Sequence, residues 1–186
     1  MIEYYKYYSV LLDTIKRCPV KNLTLKSAFH ANTGCTPKWL FQSLAEALPG
    51  LRSLDIEISS WHELIEPADK IFNSECDEAL ASLKNLQCFC LVLNTRCIAC
   101  SRDDCVRIAQ RLLQTSSIQY LAVRVCGQTY EWDRRTGVGE SYWQRCGSGC
   151  TVREICSKEF TKARDKICYE NGDPRLVSDV QQYYPV

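Results

Sequence analysis

The apolar residues of this chain recur in one pattern that appears several times. The complete pattern, Leu-x-x-Leu-x-x-Leu-x-Ile-x-Ile, covers residues 48–58. It returns in residues 83–93 and 115–125, and a shorter copy lies upstream in residues 20–25. The anchor positions of the copies are spaced 31, 35 and 32 residues apart: Val20, Leu51, Leu86 and Ile118. Alternating apolar residues at the end of each copy predict a β-strand with one buried side.

Helical patterns separate these strands. Apolar residues at spacings of three and four predict an amphipathic helix over residues 2–16. Thr36-Pro37 and Ser101-Arg-Asp-Asp104 each predict a helix start, because a hydroxyl there accepts an early backbone N–H. One strand and one helix per repeat is typical of leucine-rich-repeat proteins. We therefore expect an α/β fold, a short leucine-rich-repeat-like solenoid with parallel strands on one face, helices on the other and an irregular C-terminal cap.

The chain is expected to form a single domain over residues 1–186. Residues 1–16 form its capping helix, residues 17–126 contain the repeats, and residues 127–186 form the C-terminal part. In that last part the pattern predicts an aromatic hairpin, a final strand, a helix capped by Ser157 and a tail. The outer edge of the first strand stays bare in this prediction unless the N-terminal helix or upstream residues cover it.

Composition narrows the class of protein. Apolar residues make up 46% of the chain and charged residues 24%, with a formal net charge of +1. This balance points to neither a nucleic-acid nor a membrane partner. The 13 cysteines would suggest disulfides in a secreted protein. The N-terminus carries no secretory signal pattern, so we expect an intracellular protein, cytoplasmic or nuclear, whose cysteines are mostly small buried side chains.

The residues between the apolar strand positions should share one face of the sheet, since side chains alternate along a strand. Parallel pairing in register would place them in three rows: Asn22, Ser53, Cys88 and Tyr120; Thr24, Asp55, Cys90 and Ala122; Lys26, Glu57, Val92 and Arg124. The apolar centre of this face would consist of Tyr120, Cys88, Cys90 and Val92. Its charged border would consist of Lys26, Asp55, Glu57 and Arg124. An aromatic anchor inside a polar rim is typical of protein-binding surfaces, so these eight residues are the predicted partner contacts.

A second interpretation of the same face stays open. The segment from residue 129 onward would, in that case, fold over the three rows and bury them. The apolar centre would then be a second core instead of a contact surface, because large apolar patches are seldom left exposed without a partner.

The cysteines also allow a different kind of site. Cys97-Ile-Ala-Cys100, with Cys105 shortly after it, has the beginning of a zinc-ligand spacing. The nearest further ligand candidates are Cys88 and Cys90 on a strand, or Cys146 and Cys150 far along the chain. A lone Cys-x-x-Cys is a weak signal, so structural cysteines are favoured, and we expect no metal or other cofactor. No nucleophile motif accompanies His62-Glu63, so no catalytic residue is predicted and the protein is not expected to be an enzyme.

Several stretches together carry a family resemblance. They are the repeat strands, Trp132-Asp-Arg-Arg, Tyr142-Trp-Gln-Arg and residues 151–159 before a basic helix. Over about residues 15–170 the chain resembles the C-terminal substrate-recognition region of fungal F-box proteins with degenerate leucine-rich repeats. That resemblance implies a protein substrate held by the repeats. It implies a ubiquitin ligase adaptor as partner only if an F-box lies upstream, since residues 1–16 are too short for one.

The expected function is therefore non-enzymatic protein recognition, by resemblance the substrate-binding portion of an F-box-type ubiquitin ligase receptor. The chain would then be a fragment or a relative that retains only the binding half. Two alternatives remain. One is a zinc-binding or redox-active cysteine protein centred on Cys97, Cys100 and Cys105, and the other is a repeat scaffold unrelated to ubiquitin.

Overall fold

The chain folds as an α/β protein. The computed structural model describes residues 3–16, 18–26, 36–60, 66–67, 73–95, 98–99, 101–126, 138–147, 151–169 and 176–178. The helices in these residues are α1 (Glu3–Ile15), α2 (Pro37–Ala47), α3 (Ser74–Ala81), α4 (Arg102–Thr115) and α5 (Ser157–Tyr169). The strands are β1 (Asn22–Leu25), β2 (Ser53–Ser60), β3 (Glu66–Pro67), β4 (Cys88–Thr95), β5 (Ile98–Ala99), β6 (Tyr120–Cys126), β7 (Val138–Cys146), β8 (Thr151–Ile155) and β9 (Leu176–Ser178).

The main sheet is open and mostly parallel. Its strand order is β8-β7-β6-β4-β2-β1-β9, and β3 pairs separately with β5. The strands β1, β2, β4 and β6 follow one another in chain order and are parallel, and each comes from one copy of the apolar pattern. The last two strands on one side, β7 and β8, are antiparallel. Parallel neighbours connected through helices are the arrangement that the sequence predicts.

The entry into each repeat strand is built the same way. The carbonyl of Lys21 accepts hydrogen bonds from two successive N–H groups at the start of β2, the carbonyl of Arg52 does so for β4, and that of Gln87 for β6. The six bonds measure 2.7 to 3.0 Å. The first N–H groups of each strand hydrogen-bond to the residue that precedes the adjacent strand. Because this geometry recurs, it fixes the register between successive strands.

The main core lies on one side of the sheet. Helices α1 to α4 pack there, each against the next. The apolar strand positions point toward them and are fully buried, among them Leu54, Phe89 and Val123. Phe41 of α2 meets Phe89 edge to face, with ring centroids 6.0 Å apart, a geometry that aromatic rings favour. The repeats therefore supply one continuous apolar layer.

Two predicted helix starts are confirmed. The Thr36 hydroxyl accepts a 3.2 Å hydrogen bond from the N–H of Trp39, and Pro37 occupies the first turn of α2. At α4, Ser101 and Asp104 form the reciprocal capping box. The predicted cap at Ser157 is wrong by one residue. Ser157 is already helical, and the N–H of Cys156 donates to the Glu159 carboxylate at 3.1 Å, so Cys156 stands at the cap position.

The C-terminal part differs most from the prediction. Where a tail was expected, β9 pairs in parallel with β1, so Leu176 lies opposite Leu23 and the outer edge of β1 is covered. The predicted hairpin is present in part: β7 pairs with β6, while Tyr130 and Trp132 lie outside the described residues. An irregular cap is therefore not what the described part of this segment forms. Among the described helices, none has the length and apolarity needed to cross a bilayer.

Candidate binding face

The face of the sheet opposite the main core carries the three predicted rows. The strand register matches the first row, with Asn22 opposite Ser53, Ser53 opposite Cys88 and Cys88 opposite Tyr120. It also matches the second row, which contains Thr24, Asp55, Cys90 and Ala122. In the third row Glu57, Val92 and Arg124 are in register, and Lys26 directly follows β1. Strand β7 extends the rows with Gln144, Tyr142 and Glu140, respectively.

Helix α5 covers part of this face, which the prediction of helices on one side only did not foresee. A second apolar cluster, separate from the main core, forms between the helix and the first two rows. Its buried members are Cys88, Ala122, Ile155 and Phe160. The Phe160 ring lies 5.3 Å from the Tyr142 ring, centroid to centroid. Residues beyond 129 therefore cover the first two rows in part, as the alternative interpretation expects for the whole face.

Polar contacts hold α5 at its first turn and near its middle. Near its first turn, Glu159 accepts from Arg153 at 3.5 Å, and Arg153 also donates to Gln144 at 2.7 Å. Farther along, Arg164 lies 3.7 Å from the Asp55 carboxylate in an ion pair that is largely shielded from solvent. The helix thus crosses the sheet from β7 toward β2, running over strands instead of along one.

The two strand cysteines under α5 behave as apolar groups. Cys88 is fully buried, and burial raises the pKa of its thiol well above the ordinary value. Burial likewise raises the pKa of Cys90 to about 12, and the nearby Asp55 adds to the effect. Thiolate is the form that attacks electrophiles and binds metals, so neither group is prepared for redox chemistry or metal binding in this arrangement.

The third row lies beside α5 and is partly exposed. Arg124 projects from β6, with nearly half of its side chain exposed, and forms an ion pair with Glu140 of β7 at 2.5 Å. The Tyr142 hydroxyl donates to the other oxygen of the same carboxylate. Partial burial, together with this hydrogen bond to Glu140, raises the pKa of Tyr142, so its hydroxyl stays protonated. The three side chains form a small polar platform in which the carboxylate is held from two sides.

The rest of the third row is mixed in character. Lys26 is exposed, whereas Glu57 and Val92 are partly exposed. From Lys26 to Glu140 the row therefore contains, in order, a basic, an acidic, an apolar, a basic and an acidic side chain. A partly exposed apolar residue between charges of both signs is typical of a contact surface that fits a charged segment of a partner.

The eight predicted contact residues thus separate into two groups. Cys88, Cys90 and Asp55 lie beneath or beside α5. Tyr120 is partly buried there as well, and its hydroxyl accepts from Gln144 at 3.2 Å. The other four predicted residues belong to the third row, where Lys26 and Arg124 are exposed and Glu57 and Val92 are partly buried. One continuous face of eight accessible residues is not what this structure presents.

The described residues give little support to a zinc-binding or redox-active cysteine site. Cys97, Cys100 and the two histidines lie outside them. Cys105 is fully buried in the main core on the inner side of α4. Across the part of the chain that the structure describes, no group of three or more His, Cys, Asp or Glu side chains is arranged to hold a metal ion.

Sequence reasoning missed several residues that shape this face. Glu140 and Tyr142 belong to it because β7 adds to the sheet next to β6, and their separation by one residue was the available signal. Phe160 and Arg164 of α5 gave no such signal, since a helical pattern does not say which side of a sheet the helix will cover. A comparison with protein-family models, curated proteins and solved structures finds no match for this chain.

Proposed function

We propose that this protein is a non-enzymatic protein-recognition module that uses the third row of its sheet. The observation that carries the proposal is the in-register row of Glu57, Val92 and Arg124, which is partly exposed beside α5 and continued by Glu140. Such a row presents alternating charge around one apolar side chain at fixed spacing on a rigid sheet. Charge complementarity of that kind confers partner specificity and orientation more than raw affinity.

The proposal includes a finer description of the architecture, a short leucine-rich-repeat-like solenoid. Its support is the chain-order succession of parallel strands β1, β2, β4 and β6 and the repeated carbonyl geometry at Lys21, Arg52 and Gln87. Repeat proteins of this type bind partners across several strands, since each repeat adds equivalent positions to one surface.

A charge reversal that preserves the ion pair is the sharpest test of this face. In the double variant Arg124→Glu with Glu140→Arg, the two charges exchange places, so the local attraction is kept and the field seen by a partner is inverted. Proteins retained by the immobilised wild-type chain would be compared with those retained by the variant in quantitative affinity capture. We expect the variant to fold normally and its affinity for the specific partner to fall by about tenfold or more.

A matched variant makes the result interpretable. Lys84→Glu changes the charge of an exposed residue in the connection before β4, outside the third row. It should retain the same partner as the wild-type chain. Equal capture by all three proteins would exclude recognition through the third row.

We further propose that the captured partner is a substrate for ubiquitin transfer. This step rests on the resemblance of the sequence to F-box receptors with degenerate repeats. Depleting the protein from cells should raise the steady-state amount of the partner identified above, and proteasome inhibition should remove the difference. A partner whose amount does not change would instead favour a repeat scaffold unrelated to ubiquitin.

A further inference from the structure

Helix α5 is attached to the sheet by a small interface that is separate from the main core. Its buried side chains are Phe160 and Cys168. Phe160 belongs to the second apolar cluster, and the partly buried Ile167 also packs against that cluster. Most of the other residues of α5 are exposed. An element held by few buried apolar contacts opens at lower free energy than the core elements do.

The fit of α5 to the first row is also incomplete. Asn22 is buried, and its amide N–H donates to the carbonyl of Cys168 at 3.1 Å. The side-chain oxygen of Asn22 has no hydrogen-bond partner among the described residues. A buried polar atom without a partner carries a desolvation cost that a differently contoured ligand can remove.

The contacts of α5 define what this covered surface recognises. Phe160 packs on Tyr142, Arg164 pairs with Asp55, and Cys168 approaches Asn22. These three helix positions are four residues apart, so they lie on one side of a helix. The surface therefore accepts a helix with an aromatic, a basic and a small residue at successive spacings of four.

We infer that the first two rows form a second recognition groove, which α5 occupies in place of an amphipathic helix from a protein partner. The partner helix carries the same aromatic, basic and small pattern, and by displacing α5 it gains continuous access to the third row. This inference rests on the recognition function proposed above. Because a tethered helix competes at an effective concentration of about millimolar, partner binding to the resting protein is weakened.

Hydrogen exchange of the intact wild-type chain tests whether α5 opens by itself. We expect amides of α5 to exchange at least about tenfold faster than those of β4 under native conditions, because the helix detaches without global unfolding. Identical protection of α5 and β4 would mean that the helix leaves the sheet only when the whole protein unfolds, and it would overturn the inference.

A peptide test addresses the groove itself. A fluorescent peptide with the sequence of residues 157–169 would be titrated into the wild-type chain and into the Phe160→Ala variant. The variant should bind it at least about tenfold more tightly, since its own helix no longer fills the aromatic site. A peptide with alanine at the positions of Phe160 and Arg164 should bind neither protein. Equal affinity of the first peptide for both proteins would refute the groove.

Two provisions keep the outcome readable. If Phe160→Ala unfolds, Arg164→Ala replaces it, because that change weakens only the pairing with Asp55 and leaves the aromatic contact intact. The charge-exchanged Arg124 and Glu140 variant separates the two proposals. If that variant loses the partner and Phe160→Ala binds no peptide, the third row is a recognition surface and the groove is refuted. If that variant keeps the partner and Phe160→Ala binds the peptide, the groove binds helices and the third row does not recognise the partner.

Discussion

Asn22 and Cys168 are joined by a hydrogen bond although 146 residues separate them along the chain. The side-chain amide of Asn22, on β1, donates to the backbone carbonyl of Cys168, near the end of α5. This carbonyl belongs to the last turn of the helix, where backbone acceptors lack partners within the helix. The bond therefore connects the first repeat strand to the helix that crosses the opposite side of the sheet from the main core.

Substitutions of Asn22 should distinguish the energetic contribution of its N–H donor from that of its unpartnered side-chain oxygen. Asn22→Ala removes both, so we expect a loss of about 1 kcal/mol in the free energy of unfolding. Asn22→Asp places a carboxylate against the Cys168 carbonyl, and at pH 7 it should cost about 3 kcal/mol. Urea unfolding at pH 7 measures both, with the exposed Lys84→Ala as control. Equal stability of the two Asn22 variants would contradict this account.

Asp77 and Arg111 predict a pH dependence. Asp77 is 4% exposed between α3 and α4 and pairs with Arg111. Burial raises its pKa above the ordinary 3.8, although Arg111 opposes the shift. The folded protein therefore holds this proton more tightly than the unfolded chain does. Its stabilising contribution is complete below pH 3.8 and declines as the pH rises through the folded-state pKa.

The expected result is a stability difference from a neutral variant that changes with pH. Relative to Asp77→Asn, the wild-type chain should lose unfolding free energy as the pH rises from 3.8 toward neutrality. Arg111→Ala should steepen that loss, because it removes the charge that holds the pKa down. Urea midpoints measured across this pH range provide the comparison, and parallel curves for wild type and Asp77→Asn would show that Asp77 does not titrate differently in the folded state.

The capping box of α4 predicts the opposite trend. Although partial burial acts against it, hydrogen bonds from Ser101 and the charge of Arg107 hold the pKa of Asp104 below its ordinary value. Its contribution is therefore present above the unfolded-state pKa and is lost as the pH falls through the folded-state pKa. Asp104→Asn should cost about 1 kcal/mol at neutral pH and almost nothing in strong acid. Asp103→Asn, one residue earlier and outside the box, is the matched control in thermal unfolding at both pH values.

Strand β9 predicts a change in self-association. Its parallel pairing with β1 protects an edge that would otherwise present free N–H and C=O groups. Deleting residues 176–186 should produce concentration-dependent dimers or larger species in analytical ultracentrifugation. Deleting only residues 179–186 leaves β9 in place and should not. A monomeric 176–186 deletion would mean that the β1 edge is protected in some other way.

The sequence pattern was sufficient for the repeats. Apolar residues in strict alternation, such as Leu54, Ile56 and Leu91, predicted both the strands and the side they bury, because a one-residue slip would expose all of them. The rows on the other face followed from the same alternation. Local signals of this kind also predicted the caps at Thr36 and Ser101, where one side chain acts within its own helix turn.

Long-range relationships carried no such signal. Strand β9 is three residues long, too short for a recognisable period, and its partner β1 lies near the other end of the chain. Helix α5 buries Phe160 and Cys168, eight residues apart, a pattern too sparse to reveal which face of the sheet receives it. The sequence therefore predicted the three rows of the candidate face. It did not predict which rows α5 covers, because that depends on tertiary contacts.

The pairing of β9 with β1 also bears on how this protein is made. Synthesis proceeds from β1 to β9, and at about 5 to 20 residues per second the ribosome needs roughly 8 to 30 s between them. Throughout that interval the nascent sheet has an open parallel edge, since the strand that closes it does not yet exist. Polysomes carrying many copies of the growing chain would bring such edges together. Chaperones that cover this edge during synthesis would therefore raise the yield of folded protein.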